Sequence, residues 1–176
     1  MKFTAAGIPG AYVIELDRLE DERGFFARTF CRDEFSAHGL DSSFVQCNAS
    51  FNVRKGTLRG MHYQEKPHDE AKLVRCTRGA IYDVIVDIRS GSPTYKRWFA
   101  VELAAANGTM LYIPEGIAHG FQTLEDGSEV FYQMSEMYHP ESARGLRWND
   151  PAFAIRWPLD APILSQRDAG YPDFER

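Results

Sequence analysis

The sequence predicts an all-β, single-domain fold, a sandwich or small barrel such as a jelly roll. Short runs rich in Val, Ile, Phe and Tyr recur between turn signals along the whole chain. A few short helices accompany the strands, one of them clearly signalled. No repeat, low-complexity stretch or linker divides the 176 residues, a length that buries a core without disulfides or structural metal.

The candidate strands are 11–16, 24–30, 44–52, 57–63, 72–77, 80–87, 98–103, 110–113, 121–124 and 130–134. Each is β-branched or aromatic in character and suits a half-buried pleated surface. Arg78-Gly79 and Asn107-Gly108 separate adjacent runs at hairpin-like spacing, and glycine there tolerates positive φ. The helix candidate is 32–38, with Gly39 as its stop.

Hydrophobic residues make up 44% of the chain and aromatics 13%, which excludes disorder. A net charge of -5 argues against a general nucleic-acid binder, yet leaves room for a locally basic pocket. Cys31, Cys47 and Cys76 cannot all pair within one chain and match no zinc spacing. Reduced thiols in a cytoplasmic protein are the expectation. No apolar run reaches membrane-spanning length, and the N-terminus lacks a signal-peptide pattern.

Polar residues inside β-rich runs carry the chemistry. Asp83 shares strand parity with Ile81 and Ile85, so it needs a partner or a wet cavity; a structural ion pair is its plainer reading. Arg59 and His62, three apart, fall on opposite faces under strict alternation, unless Gly60 permits a bulge. Lys72 opens the next strand, and His119 follows the turn Pro114-Glu-Gly116. Two His, a Lys, several Arg and interspersed Tyr suit an anionic ligand that undergoes proton transfer. The spacing alone names no reaction.

A resemblance does. Asp21-Glu-Arg-Gly-Phe-Phe26, Gln46-Cys-Asn48, Leu58-Arg-Gly-Met-His-Tyr-Gln64 and Lys72-Leu-Val-Arg-Cys76 resemble the dTDP-4-dehydrorhamnose 3,5-epimerases. So do Asp83-Val-Ile-Val-Asp-Ile-Arg89, Ser92-Pro93-Thr94, Ile113-Pro-Glu-Gly-Ile-Ala-His-Gly-Phe121 and Trp148-Asn-Asp-Pro151. The likeness runs in register from about Pro9 to Asp168.

The resemblance implies a cupin jelly roll, a homodimer acting on a nucleotide-linked 4-keto-6-deoxyhexose without metal or organic cofactor. It further implies that His62 and Asp168 form the base dyad, that Tyr132 donates the proton, and that Lys72 lies beside the 4-keto oxygen. His119 and Asp83 match a second His–Asp pair near the sugar. Tyr138 matches an aromatic stacking on the base, and Arg23, Gln46, Asn48 and Arg59 match nucleotide-sugar contacts. Three positions depart from the pattern: Arg28 and Ala143 stand where Glu is usual, and Arg167 replaces a frequent Lys. Arg28 and Arg167 are retained as substrate-binding candidates.

Other readings remain open at this point. A metal-dependent cupin would use His62, His68, Glu70 and His119, but Gln64 occupies the place of its second histidine. A non-catalytic sugar-nucleotide binding module, or an epimerase inverting C3 only or C5 only, shares the same residues. His38, His68 and His139, in polar loops or at a helix end, receive no role. Tyr63, Tyr82, Trp98 and Phe121 are read as core or dimer-interface aromatics.

Overall fold

The computed structural model describes residues 1–174. Of the single domain 1–176 expected from sequence, Glu175 and Arg176 lie outside the described residues, as does that end of the segment 171–176, whose placement the sequence leaves open. Two antiparallel sheets face each other. One runs in the order β1 (Lys2–Ala5), β2 (Tyr12–Glu15), β10 (Met110–Ile113), β7 (Lys72–Arg78), β12 (Ser128–Met134), β5 (Gln46–Asn52). The other runs β13 (Ala143–Gly145), β6 (Leu58–Gln64), β11 (Ile117–Thr123), β8 (Ala80–Asp87), β9 (Trp98–Ala104). A separate hairpin joins β3 (Leu19–Asp21) to β4 (Gly24–Phe26). This is the jelly-roll sandwich expected from the sequence.

Alternation along the strands sorts side chains into three cores. Val74, Cys76, Leu111, Ile113 and Val130 from one sheet meet Ile81, Ile85, Leu103, Ile117 and Phe121 from the other. Outside the six-stranded sheet, Leu73, Met110 and Tyr112 pack beneath Phe35 of α1 (Arg32–Ala37). Outside the five-stranded sheet, Met61, Val84, Val86 and Ala118 are covered by Leu146 and Phe153 from the C-terminal quarter. Burial on both faces explains why β8 reads as a nearly continuous apolar run.

The helix starts with Asp33 and Glu34 in its first turn, favourable at the positive end of its dipole. It stops at Gly39, whose φ of 69° lets Gly39 N–H reach Ser36 and Leu40 N–H reach Phe35. Two strands, 80–87 and 110–113, match their expected bounds. The run 24–30 is shorter, ending at Phe26, while 121–124 is the tail of a strand that begins at Ile117. Neither glycine turn makes a hairpin. Arg78-Gly79 carries the chain from β7 to β8, and Asn107-Gly108 carries it from β9 to β10; both cross between sheets. Tight turns at jelly-roll corners have hairpin-like lengths, so sequence spacing does not separate the two cases.

The connection from β8 to β9 is pinned by Asp87. Its buried carboxylate accepts hydrogen bonds from Arg89, Ser92 Oγ and Thr94 Oγ1. Burial pushes this carboxyl up, but those donors outweigh it and hold it down at about 2. A folded value below the unfolded one near 3.9 means stabilisation that is complete at neutral pH and is lost as pH falls toward 2. Asp87→Asn is therefore expected to lose about 2 kcal/mol in urea unfolding at pH 7, with the gap to wild type narrowing below pH ~4. A gap independent of pH would contradict this.

Candidate active site

At the end of the sandwich where β7 begins and β6 and β12 finish, apolar filling gives way to a cavity of about 580 Å³. The five-stranded sheet presents Arg59, His62 and His119 to it. The six-stranded sheet presents Gln46, Asn48, Lys72 and Tyr132 from the facing wall. Tyr63 and Phe121, read from sequence as core or dimer-interface aromatics, also line it.

Arg59 and His62 reach the same cavity because β6 carries one extra residue. His119 pairs with His62 and Phe121 with Arg59, so two steps on β11 span three on β6. Met61 is thereby turned to the outer core. The bulge depends on Gly60: its φ is 139°, and a Cβ there would fall 2.5 Å from the Cα of Gly120. No residue with a side chain fits that contact.

Each cavity cation or imidazole has a fixed partner. His62 Nε2 lies 2.6 Å from Asp168 Oδ1. Asp168 sits in the one-turn helix α2 (Gln166–Ala169), where Ser165 Oγ accepts from the Asp168 backbone N–H at 3.0 Å. Burial raises the Asp168 carboxyl, but His62, Ser165 and the Gly60 backbone outweigh it and hold it below the ordinary carboxylate range. It is an anion at neutral pH. With Nε2 engaged, Nδ1 is the His62 nitrogen left to take a proton.

His119 Nε2 lies 2.8 Å from Asp83 Oδ1. Asp83 is fully buried and does not line the cavity, so it acts there only through His119, which supplies the partner that a carboxylate at this parity needs. Lys72 Nζ is 2.7 Å from Glu70 Oε1, both groups buried. Arg59 Nε donates to Asn52 Oδ1 at 2.7 Å. Opposite them, burial pushes the Tyr132 phenol up, Arg59 opposes this and Glu70 adds to it. The phenol stays protonated well into the alkaline range.

Tyr138, Ala143 and Arg167 also line the cavity. Arg167 Nε donates to Tyr171 Oη at 2.7 Å. The Tyr171 ring lies over Gly145, where a Cβ would overlap it. Sequence reasoning places Glu70 only in the metal-cupin alternative and gives Tyr171 no role. Glu70 stands two residues before Lys72, on its parity, and that pairing was a readable signal; Tyr171 had none.

Arg23 and Arg28 are not brought to this cavity. Arg23 is exposed on the β3–β4 hairpin and paired with Asp21, and Arg28 is exposed and paired with Glu34. The β3–β4 hairpin that carries Arg23, and that Arg28 follows, joins neither sheet. Of the metal-cupin set, His62, Glu70 and His119 line the cavity, each engaged by another side chain. His68 does not line the cavity, and the Gln64 amide is consumed in binding the carbonyls of His68 and Met137 and the N–H of His139.

Comparison with known proteins places this arrangement. The family model for dTDP-4-dehydrorhamnose 3,5-epimerase matches residues 5–176. The chain belongs to that family. It is 42% identical over 175 residues to the dTDP-4-dehydrorhamnose 3,5-epimerase of Sinorhizobium fredii, covering 99% of this chain and 90% of the relative. The crystal structure of the Bacillus anthracis epimerase with TDP and PPi bound superposes with a TM-score of 0.95 at 40% identity, covering 98% and 99% of the two chains. ChmJ of Streptomyces bikiniensis, a 3'-monoepimerase solved with dTDP-quinovose, gives 0.88 at 37%, covering 95% and 85%. The epimerase family thus includes structural relatives described as 3,5-epimerases and as a 3'-monoepimerase. Among the described residues, no helix is long and apolar enough to cross a membrane.

Proposed function

We propose that this single-domain protein inverts C3, C5 or both in a dTDP-linked 4-keto-6-deoxyhexose by proton abstraction and enolate reprotonation. The observation that carries the reading is the His62–Asp168 pair on one wall of the cavity with Tyr132 on the other. A C4 ketone acidifies the neighbouring C–H bonds. Neutral His62 removes the proton, and the Asp168 anion orients the ring and stabilises the imidazolium that forms. The Lys72 ammonium, kept in place by Glu70, faces the negative charge that develops on the enolate oxygen. Tyr132 returns a proton from the opposite side and so inverts the centre; its phenolate then regains a proton from solvent as the His62 imidazolium releases one.

Arg59 and Arg167 suit the diphosphate, since guanidinium forks match its oxygens. Gln46 and Asn48 suit polar groups of the sugar or nucleoside, and Tyr138 suits stacking on the base. His119, backed by Asp83, faces the sugar.

The chain is further proposed to work as a homodimer in the cytoplasm. Leu19 and Phe26, cross-strand partners on one face of the β3–β4 hairpin, are more than half exposed, an apolar pair that a second copy would cover. That contact would carry Arg23 and Arg28 to the partner's cavity, the setting in which their resemblance to ligand contacts has a use.

Incubation of the substrate with enzyme in D2O is expected to place deuterium at C3, C5 or both, the pattern giving the number of centres inverted. His62→Ala should slow exchange by about 10²–10⁴-fold while retaining nucleotide binding. Tyr132→Phe should impair inversion more than initial exchange. Absence of exchange in the wild type, or full exchange in His62→Ala, would refute the assignment. Sedimentation equilibrium should give a dimer that Phe26→Glu shifts toward monomer; a monomeric wild type would refute the assembly.

A further inference from the structure

Gln64 occupies the place where a metal cupin carries a histidine, and its buried amide does a different job. Its Nε2 donates to the carbonyls of His68 and Met137 at 2.8 and 3.1 Å, and its Oε1 accepts from the His139 N–H at 2.6 Å. The loop after β6 and the segment after β12 are thereby clamped side by side. Outside the cavity, the clamp brings together three side chains that the epimerase reading does not use: His68, Glu136 and His139. Their imidazole nitrogens and carboxylate oxygen all lie within 4.8 Å of one another.

We infer that His68, Glu136 and His139 form a site for a divalent transition-metal ion of the zinc class, separate from the catalytic cavity. The donor set of two imidazoles and a carboxylate, with water completing a tetrahedron, suits such an ion. His139 is already set as a ligand. Its Nδ1 is 3.0 Å from Glu141 Oε1, a carboxylate placed as one that orients a metal-binding imidazole through its other nitrogen. That Nε2 faces Glu136 Oε1 at 3.7 Å, too long for a hydrogen bond and close to the spacing of two ligands on one ion. Glu136 Oε1 also accepts from the Met137 N–H at 2.7 Å, which holds the carboxylate on this side.

The His68 and His139 rings stack face to face, 3.5 Å apart and 10° from parallel. Lone pairs in parallel planes do not converge, so one ring must turn edge-on to receive the ion. Ligand atoms around tetrahedral Zn²⁺ stand about 3.4 Å apart for bonds near 2.1 Å. The cluster therefore closes by at most about 1.4 Å, the scale of a side-chain rotation. His139 is held by Glu141, so His68 is the ring that turns. The bound ion would bridge the loop leading to Lys72 and the segment carrying Tyr138.

The test is isothermal titration of the full-length protein with Zn²⁺, repeated with Co²⁺ to read coordination from its visible spectrum. One ion per chain is expected, with Co²⁺ bands of a tetrahedral site. His139→Gln and the double variant His68→Ala/His139→Ala should abolish this binding, and Glu141→Gln should weaken it about 10-fold. Each variant's metal-free melting curve verifies folding, and His62→Ala should bind as tightly as wild type. Binding that survives the double variant, binding lost with His62 instead, or no binding at all would overturn the site. None of these readouts uses turnover, so failure here leaves the epimerase reading untouched.

Discussion

A charge placed between two β-sheets must find a partner there, because water cannot solvate it and hydrocarbon will not. The catalytic end of this sandwich is organised around that constraint. His62 is paired with Asp168, His119 with Asp83 and Lys72 with Glu70, while Arg59 is held by Asn52. Each pair puts one member at the cavity surface or close behind it and fixes its orientation before any ligand arrives. Preorganised charge is what a reaction through an enolate requires, since it costs no rearrangement when the negative charge develops. The Glu70 and Asp83 carboxylates each keep one buried oxygen without a hydrogen-bond partner among the described residues. The stabilisation of these anions is concentrated on their cationic or imidazole neighbours.

The sandwich also solves the stereochemical problem. An epimerase needs its base and its acid on opposite sides of one carbon. Here His62 belongs to the five-stranded sheet and Tyr132 to the six-stranded sheet. Facing sheets stand roughly 10 Å apart, a gap that admits a hexose ring between the two side chains. One bulge residue in β6 completes the arrangement, since without it Arg59 and His62 would diverge to opposite faces. The family's structural relatives include a 3'-monoepimerase, so the same two-walled layout serves more than one outcome.

Much of this was legible in the sequence, for identifiable reasons. Strands with strong β-branched character, such as β8, declared themselves, and parity put Asp83 among core aliphatics in need of a partner. Gly60 marked the bulge. What the sequence did not show depends on distance along the chain. Asp168 approaches His62 across more than a hundred residues, and only the resemblance paired them. The corner turns at Gly79 and Gly108 looked like hairpin turns because local spacing carries no information about which sheet a strand joins. The short strands β1, β3 and β13 lack the apolar runs that reveal a strand, being three or four residues long, and β1 and β3 are mostly exposed. Tyr171 lies in an irregular tail, and its contact with Arg167 exists only in three dimensions.

The central claim is that one sugar carbon is addressed from both walls of the cavity. A crystal structure of the protein with a dTDP-linked 4-keto-6-deoxyhexose or its stable 4-hydroxy analogue tests this most directly. The account predicts the hexose ring between the sheets, with His62 Nδ1 facing C3 or C5 on one side and Tyr132 Oη on the other, and Lys72 beside the oxygen on C4. A sugar bound with His62 and Tyr132 on the same face of its ring, or bound outside this cavity, would contradict it.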